Sequence, residues 1–153
     1  MAVLTVETPD ALKEHVGKEI GVSEWMVVTQ ERINQFAAIT EDPQWIHSDR
    51  ERARWESPYG ATVAHGFLTL SLIGRLMKDV IRIGGLRLTV NYGLNRVRFP
   101  SPVRAGSRIR GRYTLMSFQD RGEAWEAVFA CSVECEGSEK PCCAAEWVVR
   151  YHK

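Results

Sequence analysis

The sequence predicts an α+β fold in which an antiparallel sheet wraps around one long central helix. Two observations carry that expectation. From position 65 onward Phe67, Leu68, Leu70, Leu72, Ile73, Leu76 and Met77 fall nearly all round a helix, and a helix apolar on every side is buried on most sides. Toward the C-terminus the period changes to two, apolar positions alternating with more polar ones, as in strands with one face in and one face out. The length of 153 residues is that of a single domain, 1–153, able to bury a good core.

The elements follow in chain order. Residues 9–20 read as a short surface helix ended near Gly17, and residues 21–28 as a strand. Thr29 is placed to cap a helix over 30–40, whose inner face is Ile33, Phe36, Ala37 and Thr40. Pro43 stops that helix, because the residue before a proline is pushed out of the α region. Ser48-x-x-Glu51 has the form of a capping box, which predicts a short helix over 49–55. Residues 57–60, Ser-Pro-Tyr-Gly, are a turn. After the apolar helix come strands at 86–98 and 106–118, broken by Pro100 and Pro102, then strands at 122–136 and 142–151. Trp125 and Trp147 fall at core positions of the last two. Wrapping these strands around the helix is the simplest way to bury both. That is the hot-dog arrangement, whose edge strands commonly pair across a dimer, so a homodimer is expected by analogy.

Charge narrows the class of function. Twenty Lys and Arg against 19 Asp and Glu leave a net +1. A general nucleic-acid binder draws its affinity from a large positive excess, so no nucleic-acid partner is expected. The total hides an asymmetry: residues 1–60 carry 11 acidic and 6 basic residues, and residues 61–153 carry 8 and 14. Positions 80 to 119 contain no acid and eight arginines, Arg82, Arg87, Arg96, Arg98, Arg104, Arg108, Arg110 and Arg112. Such a local basic field suits an anionic ligand. Arg98 and Arg104 flank a proline loop, and Arg108, Arg110 and Arg112 share one strand face. Two readings of these arginines stand: a dock for the phosphates of a ligand, or a solvated face balanced by the acids of the first sixty residues.

Residues 1–9 have neither a basic nor a long apolar segment of the kind that directs secretion. The most apolar run, 66–74, is far short of the roughly 18 residues of a membrane span. A cytoplasmic protein with no membrane partner is expected. Cys131, Cys135, Cys142 and Cys143 lack the paired spacing of a zinc site. They read as reduced, buried, small apolar residues, and no metal is expected.

The chemistry concentrates in two segments. Asp42 and His47 are five positions apart, which on a helix would set them about 140° apart. Pro43 removes that helix and makes a turn that can bring both side chains to one point. A carboxylate and an imidazole gripping one water suit the addition or removal of water across an activated double bond. The plainer reading is a helix-capping Asp42 and a loop histidine. The second segment is Ala64-His65-Gly66-Phe67-Leu68-Thr69-Leu70-Ser71. The free amides of a helix start carry the positive dipole end, and Gly66 allows another molecule close to the backbone. An enolate forming on a thioester carbonyl would be stabilised there. The plainer reading is a helix-start glycine and a structural histidine.

Asp42-x-x-x-Ile46-His47, the Ala64–Ser71 segment, Asn91-Tyr92-Gly93 and Val97-Arg98-Phe99-x-x-Pro102-Val103-x-x-Gly106 together resemble the MaoC-like (R)-specific enoyl-CoA hydratase/dehydratase family. The Gln44-Trp45-Ile46-His47 version looks most like its nodulation protein N branch. The resemblance covers roughly residues 20–150. It implies a hot-dog dimer acting on acyl-CoA thioesters, with coenzyme A as part of the substrate and no separate cofactor. It maps the catalytic pair onto Asp42 and His47 and the backbone oxyanion donor onto Gly66. Gln44, Trp45, His65, Arg98 and Arg104 are the expected substrate-binding residues. The chain departs from the family's usual form at Glu41, Gln44 and Trp45, which bears on chain length and efficiency. Two other readings are a hot-dog thioesterase and a non-catalytic acyl-CoA-binding module.

Overall fold

A computed structural model of the chain describes residues 2–153. Four long or paired strands build the main sheet: β5 (Leu88–Arg98), β6 (Arg108–Asp120), β7 (Ala124–Cys135) and β8 (Cys143–His152). Two short strands, β2 (Glu19–Val22) and β3 (Met26–Val27), join it. The antiparallel order is β2-β6-β7-β8-β5, and β3 also pairs with β6. A separate parallel pair joins β1 (Leu4–Val6) to β4 (Ile81–Ile83), which the sequence pattern did not reveal.

The alternation in β7 is that expected of a half-buried strand: Ala127, Phe129, Cys131, Val133 and Cys135 are buried, and the residues between them are half-buried. In β8, Cys143, Ala145, Trp147, Val149 and Tyr151 face the same core. Trp125 is only partly buried and has Lys153 over its ring at 4.9 Å. All four cysteines are free and buried.

The predicted single helix is two shorter ones, α4 (Gly66–Ser71) and α5 (Ile73–Met77), in chain order after α1–α3 below. The break has a local cause. Ser71 Oγ donates to Phe67 O at 2.7 Å, a back-bond that bends helices. The Leu72 N–H is shared between Leu68 O and Thr69 O at 3.1 and 3.2 Å. The pair still packs against the sheet: buried Tyr113 of β6 donates its hydroxyl to Ile73 O at 2.6 Å. The helix surface is not buried all round, since Phe67 is 70% exposed.

The N-terminal third departs from expectation in detail. Only Pro9–His15 is helical, as a 3-10 turn, ended by Gly17 at φ 82°. The single strand expected at 21–28 is split because Ser23 Oγ accepts the Gly111 N–H at 2.9 Å, taking the place of a ladder bond. Helix α1 (Gln30–Thr40) starts as predicted, with the Thr29 side chain accepting from the Arg32 N–H. It ends before Pro43 can act, at Glu41 in the left-handed region (φ 55°), a common helix terminator. Ile33 and Ala37 are buried on its inner face, Phe36 is partly buried and Thr40 is exposed. Two short helices follow, α2 (Trp45–Ser48) and α3 (Arg50–Glu56). The cap of α3 is Asp49, whose carboxylate accepts the Arg52 N–H at 2.9 Å. Ser48 instead donates to Pro43 O and Gln44 O.

Candidate active site

The left-handed turn at Glu41 sets Asp42 just past the end of α1. Its N–H bonds back to Ala37 O at 3.0 Å, which ties the residue to the end of α1. Pro43 and Gln44 then turn the chain so that α2 carries His47 inward, 8% exposed. His65 arrives from the residue before α4 and is 4% exposed. The donor atoms of Asp42, His47 and His65 all lie within 4.8 Å of one another. Residues far apart in sequence thus meet at one point.

Hydrogen bonds fix the two imidazoles. His47 Nδ1 donates to Val63 O at 2.7 Å, so its proton sits on Nδ1 and the Nε2 lone pair is free. His65 Nε2 donates to the main-chain carbonyl of Asp42 at 3.0 Å and stands 4.0 Å from Asp42 Oδ2. Its buried Nδ1 has no hydrogen-bond partner among the described residues. The rings of His47 and His65 are stacked, and Phe36 packs on His65 at a centroid distance of 4.9 Å. Burial lowers the His47 pKa below its ordinary value; the bond to Val63 O opposes this, His65 adds to it and Asp42 opposes it. His47 is therefore neutral at pH 7, the state of an imidazole base. Two atoms of this trio that could face a cation, His47 Nδ1 and His65 Nε2, are already spent on carbonyls.

A cleft of about 350 Å³ opens beside His47, lined among others by Tyr59, Val63, Gly66, Phe99 and Val103. Asp42 is not among the lining residues; its side chain is 58% exposed and reaches the site through the histidines. Gly66 opens α4, and a Cβ at that position would meet the Phe99 ring at 3.0 Å. The close approach that requires glycine is therefore to this ring of the chain itself.

The other expected residues are spread more widely. Gln44 is exposed and leads into α2 without a side-chain cap. Trp45 is half-buried, with the Arg52 guanidinium stacked on it at 4.2 Å. Arg98 Nη1 donates to Val97 O and Arg104 Nε to Tyr59 O. Neither arginine lines the cleft, although the residues between them do. Arg108 is held by Glu136, Arg110 by Glu134, and Arg112 by Glu134 and Glu19. That strand face is an ion-paired ladder, its acids coming from the end of β7, the residue just after it and β2. Trp55 is 73% exposed, whereas Tyr59 lines the cleft. Two residues that motif reasoning passed over support the site. Gln30 Nε2 donates to His47 O at 2.7 Å, and Thr62 donates to Gln30 Oε1. Their only sequence signal is polarity beside a cap and a turn.

A sheet over a split helix, with a carboxylate and a neutral imidazole brought together beside a cleft, suits the addition or removal of water. The chain belongs to the MaoC-like dehydratase family, a family of hydro-lyases: residues 11–130 match its MaoC like domain. It is 47% identical over 148 residues to 3-hydroxyacyl-thioester dehydratase Z of Mycobacterium tuberculosis, covering 96% of this chain and 97% of the relative. It is 45% identical over 135 residues to Nodulation protein N of Rhizobium leguminosarum bv. viciae, covering 87% and 84%. Among solved structures it superposes on the (R)-hydratase from A. caviae involved in PHA biosynthesis with a TM-score of 0.73, 20% identity and coverage of 89% of this chain and 96% of the other. At that identity the likeness establishes the hot-dog fold.

Proposed function

We propose that this chain is an (R)-specific enoyl-CoA hydratase, adding water reversibly to a trans-2-enoyl-CoA to give the (3R)-3-hydroxyacyl-CoA. The observation that carries this reading is the convergence of Asp42 and His47 within 4.8 Å, with a free His47 Nε2, at a cleft whose wall includes Gly66. Asp42 and His47 hold one water; its oxygen attacks C3 while the pair takes its proton. Electrons move to the C1 oxygen, which the Gly66 N–H polarises. The same pair returns the proton to C2, so the balance is one water added. No separate cofactor enters the scheme.

The same reading makes the protein a cytoplasmic single-domain enzyme and a homodimer. No helix among the described residues is long and apolar enough to cross a membrane. Among the described residues strand β5 pairs only with β8, and its Leu88, Tyr92 and Leu94 are 53%, 57% and 41% exposed. An open apolar edge of this kind favours pairing with a second copy.

The test mixes the purified protein with crotonyl-CoA and follows loss of the conjugated enoyl absorbance. Release of free thiol would assign a thioesterase instead. No turnover across short, medium and long enoyl-CoA substrates would assign a binding module. Asp42→Asn and His47→Ala should each lower kcat by roughly 100-fold or more, the scale of one acid–base group. A near-wild-type rate in either variant sinks the mechanism.

A further inference from the structure

Helix α3 carries charges that the ladder on β6 does not explain. Its acids are all engaged locally. Asp49 caps the helix, Glu51 accepts from Trp55 Nε1 at 3.2 Å, and Glu56 pairs with Arg52 at 3.0 Å. Arg50 and Arg54, one turn apart on the same face, are exposed and have no carboxylate partner among the described residues. Together they line a depression of about 300 Å³ with Gly60, Ala61, Thr62 and Ala105. Small residues there leave the space open.

This depression adjoins the candidate active site. The segment from Tyr59 to Ala64 contributes to both: Gly60, Ala61 and Thr62 line the depression, and Tyr59, Val63 and Ala64 line the cleft. Gln30 joins them from below, since its Oε1 accepts from Thr62 and from Arg50 Nε at 3.5 Å while its Nε2 holds His47 O. Arg104 adds a third cation nearby by donating to Tyr59 O.

We propose that Arg50 and Arg54 form the phosphate-docking site for the carrier of the thioester substrate. Guanidinium forks match phosphate oxygens two at a time, and two of them one turn apart present four or more donors to one anionic group. The ligand chemistry is a phosphate ester joined to pantetheine. Coenzyme A and a carrier protein's serine-linked pantetheine phosphate both supply it. This assignment rests on the hydratase reading for its substrate, and its own test is separable from that reading.

Titration calorimetry with coenzyme A itself measures docking without turnover. The wild-type protein should bind it, and R50E/R54E should weaken binding by about tenfold or more, the scale of lost charge-assisted hydrogen bonds. R50Q/R54Q should fall between the two. Absent binding to the wild type, or equal affinity in all three, overturns the proposal. Kinetics supply the second arm. The loss of kcat/KM in R50E/R54E on crotonyl-CoA should exceed its loss on crotonyl-N-acetylcysteamine, which carries no phosphate, by about tenfold. Equal losses on the two overturn it. A crotonyl carrier protein then separates the sources. A matching loss assigns the pantetheine phosphate, and a loss confined to the CoA substrate assigns the nucleotide phosphates. Coenzyme A binding that is sensitive to the variants in a protein with no enoyl turnover would sink the hydratase reading and leave the docking site standing.

Discussion

The imidazoles of His47 and His65 lie face to face, 3.7 Å between centroids and 22° from parallel. Burial and the neighbouring His65 both lower the His47 pKa. His65 also tethers the main chain of Asp42, so one side chain positions both halves of the proposed acid–base pair. His65→Phe keeps the ring and its stacking but removes the N–H donor. Steady-state kinetics on crotonyl-CoA should show kcat reduced about tenfold, near the cost of one buried hydrogen bond, with KM little changed. A rise in KM at constant kcat would instead make His65 a substrate contact.

Acidification should act through His47. Its pKa is lowered, chiefly by burial, so below the ordinary imidazole value of about 6.5 the unfolded chain takes up a proton that the folded chain resists. Stability from this group is whole above about 6.5 and is lost as pH falls through the lower folded value. The acid limb of kcat/KM should have its midpoint below about 6.5. Melting curves at pH 7 and pH 5 should differ less in His47→Gln than in the wild type.

Crowding at Gly66 should be relieved at Phe99. Gly66→Ala places a methyl 3.0 Å from the Phe99 ring and should cost about 1 kcal/mol in urea unfolding. Phe99 is 40% exposed and can swing outward into the cleft, which should lower kcat/KM as well. In a double-mutant cycle, Phe99→Ala should recover much of both losses. Additive effects would show that the two positions do not meet.

The β5 edge should control assembly. Leu94→Glu sets a charge on the exposed apolar strand and should shift sedimentation from dimer to monomer at micromolar protein. Wild-type protein that sediments as a monomer at the same concentration would remove the homodimer from the proposal.

Much of this molecule is legible in its sequence because period and caps are local physics. The β7 and β8 alternation, the Thr29 cap and the buried cysteines all follow from nearest neighbours along an element. The convergence of Asp42 with His47 was legible as a turn at Pro43, although Glu41 is what ends the helix. What escaped depended on partners distant in sequence. The arginines of β6 meet Glu134 and Glu136 across a strand pairing whose register no local pattern shows. The break at Leu72 is by contrast local, but it turns on a Ser71 side-chain bond to Phe67 O that the apolar period does not show. Gln30 and Thr62 carry no motif, because their role exists only when α1 and the 59–64 segment come together.

The four buried thiols have a practical consequence. Burial pushes Cys131 and Cys142 up to about 12 and Cys143 up to about 11, and raises Cys135 as well. Thiolates are the reactive form, so the folded chain should be silent toward thiol reagents at neutral pH. A colorimetric thiol assay would then report only coenzyme A freed from substrate. A single cysteine introduced on the surface, at Gln35 for example, would take a fluorophore or spin label without removing a native cysteine first.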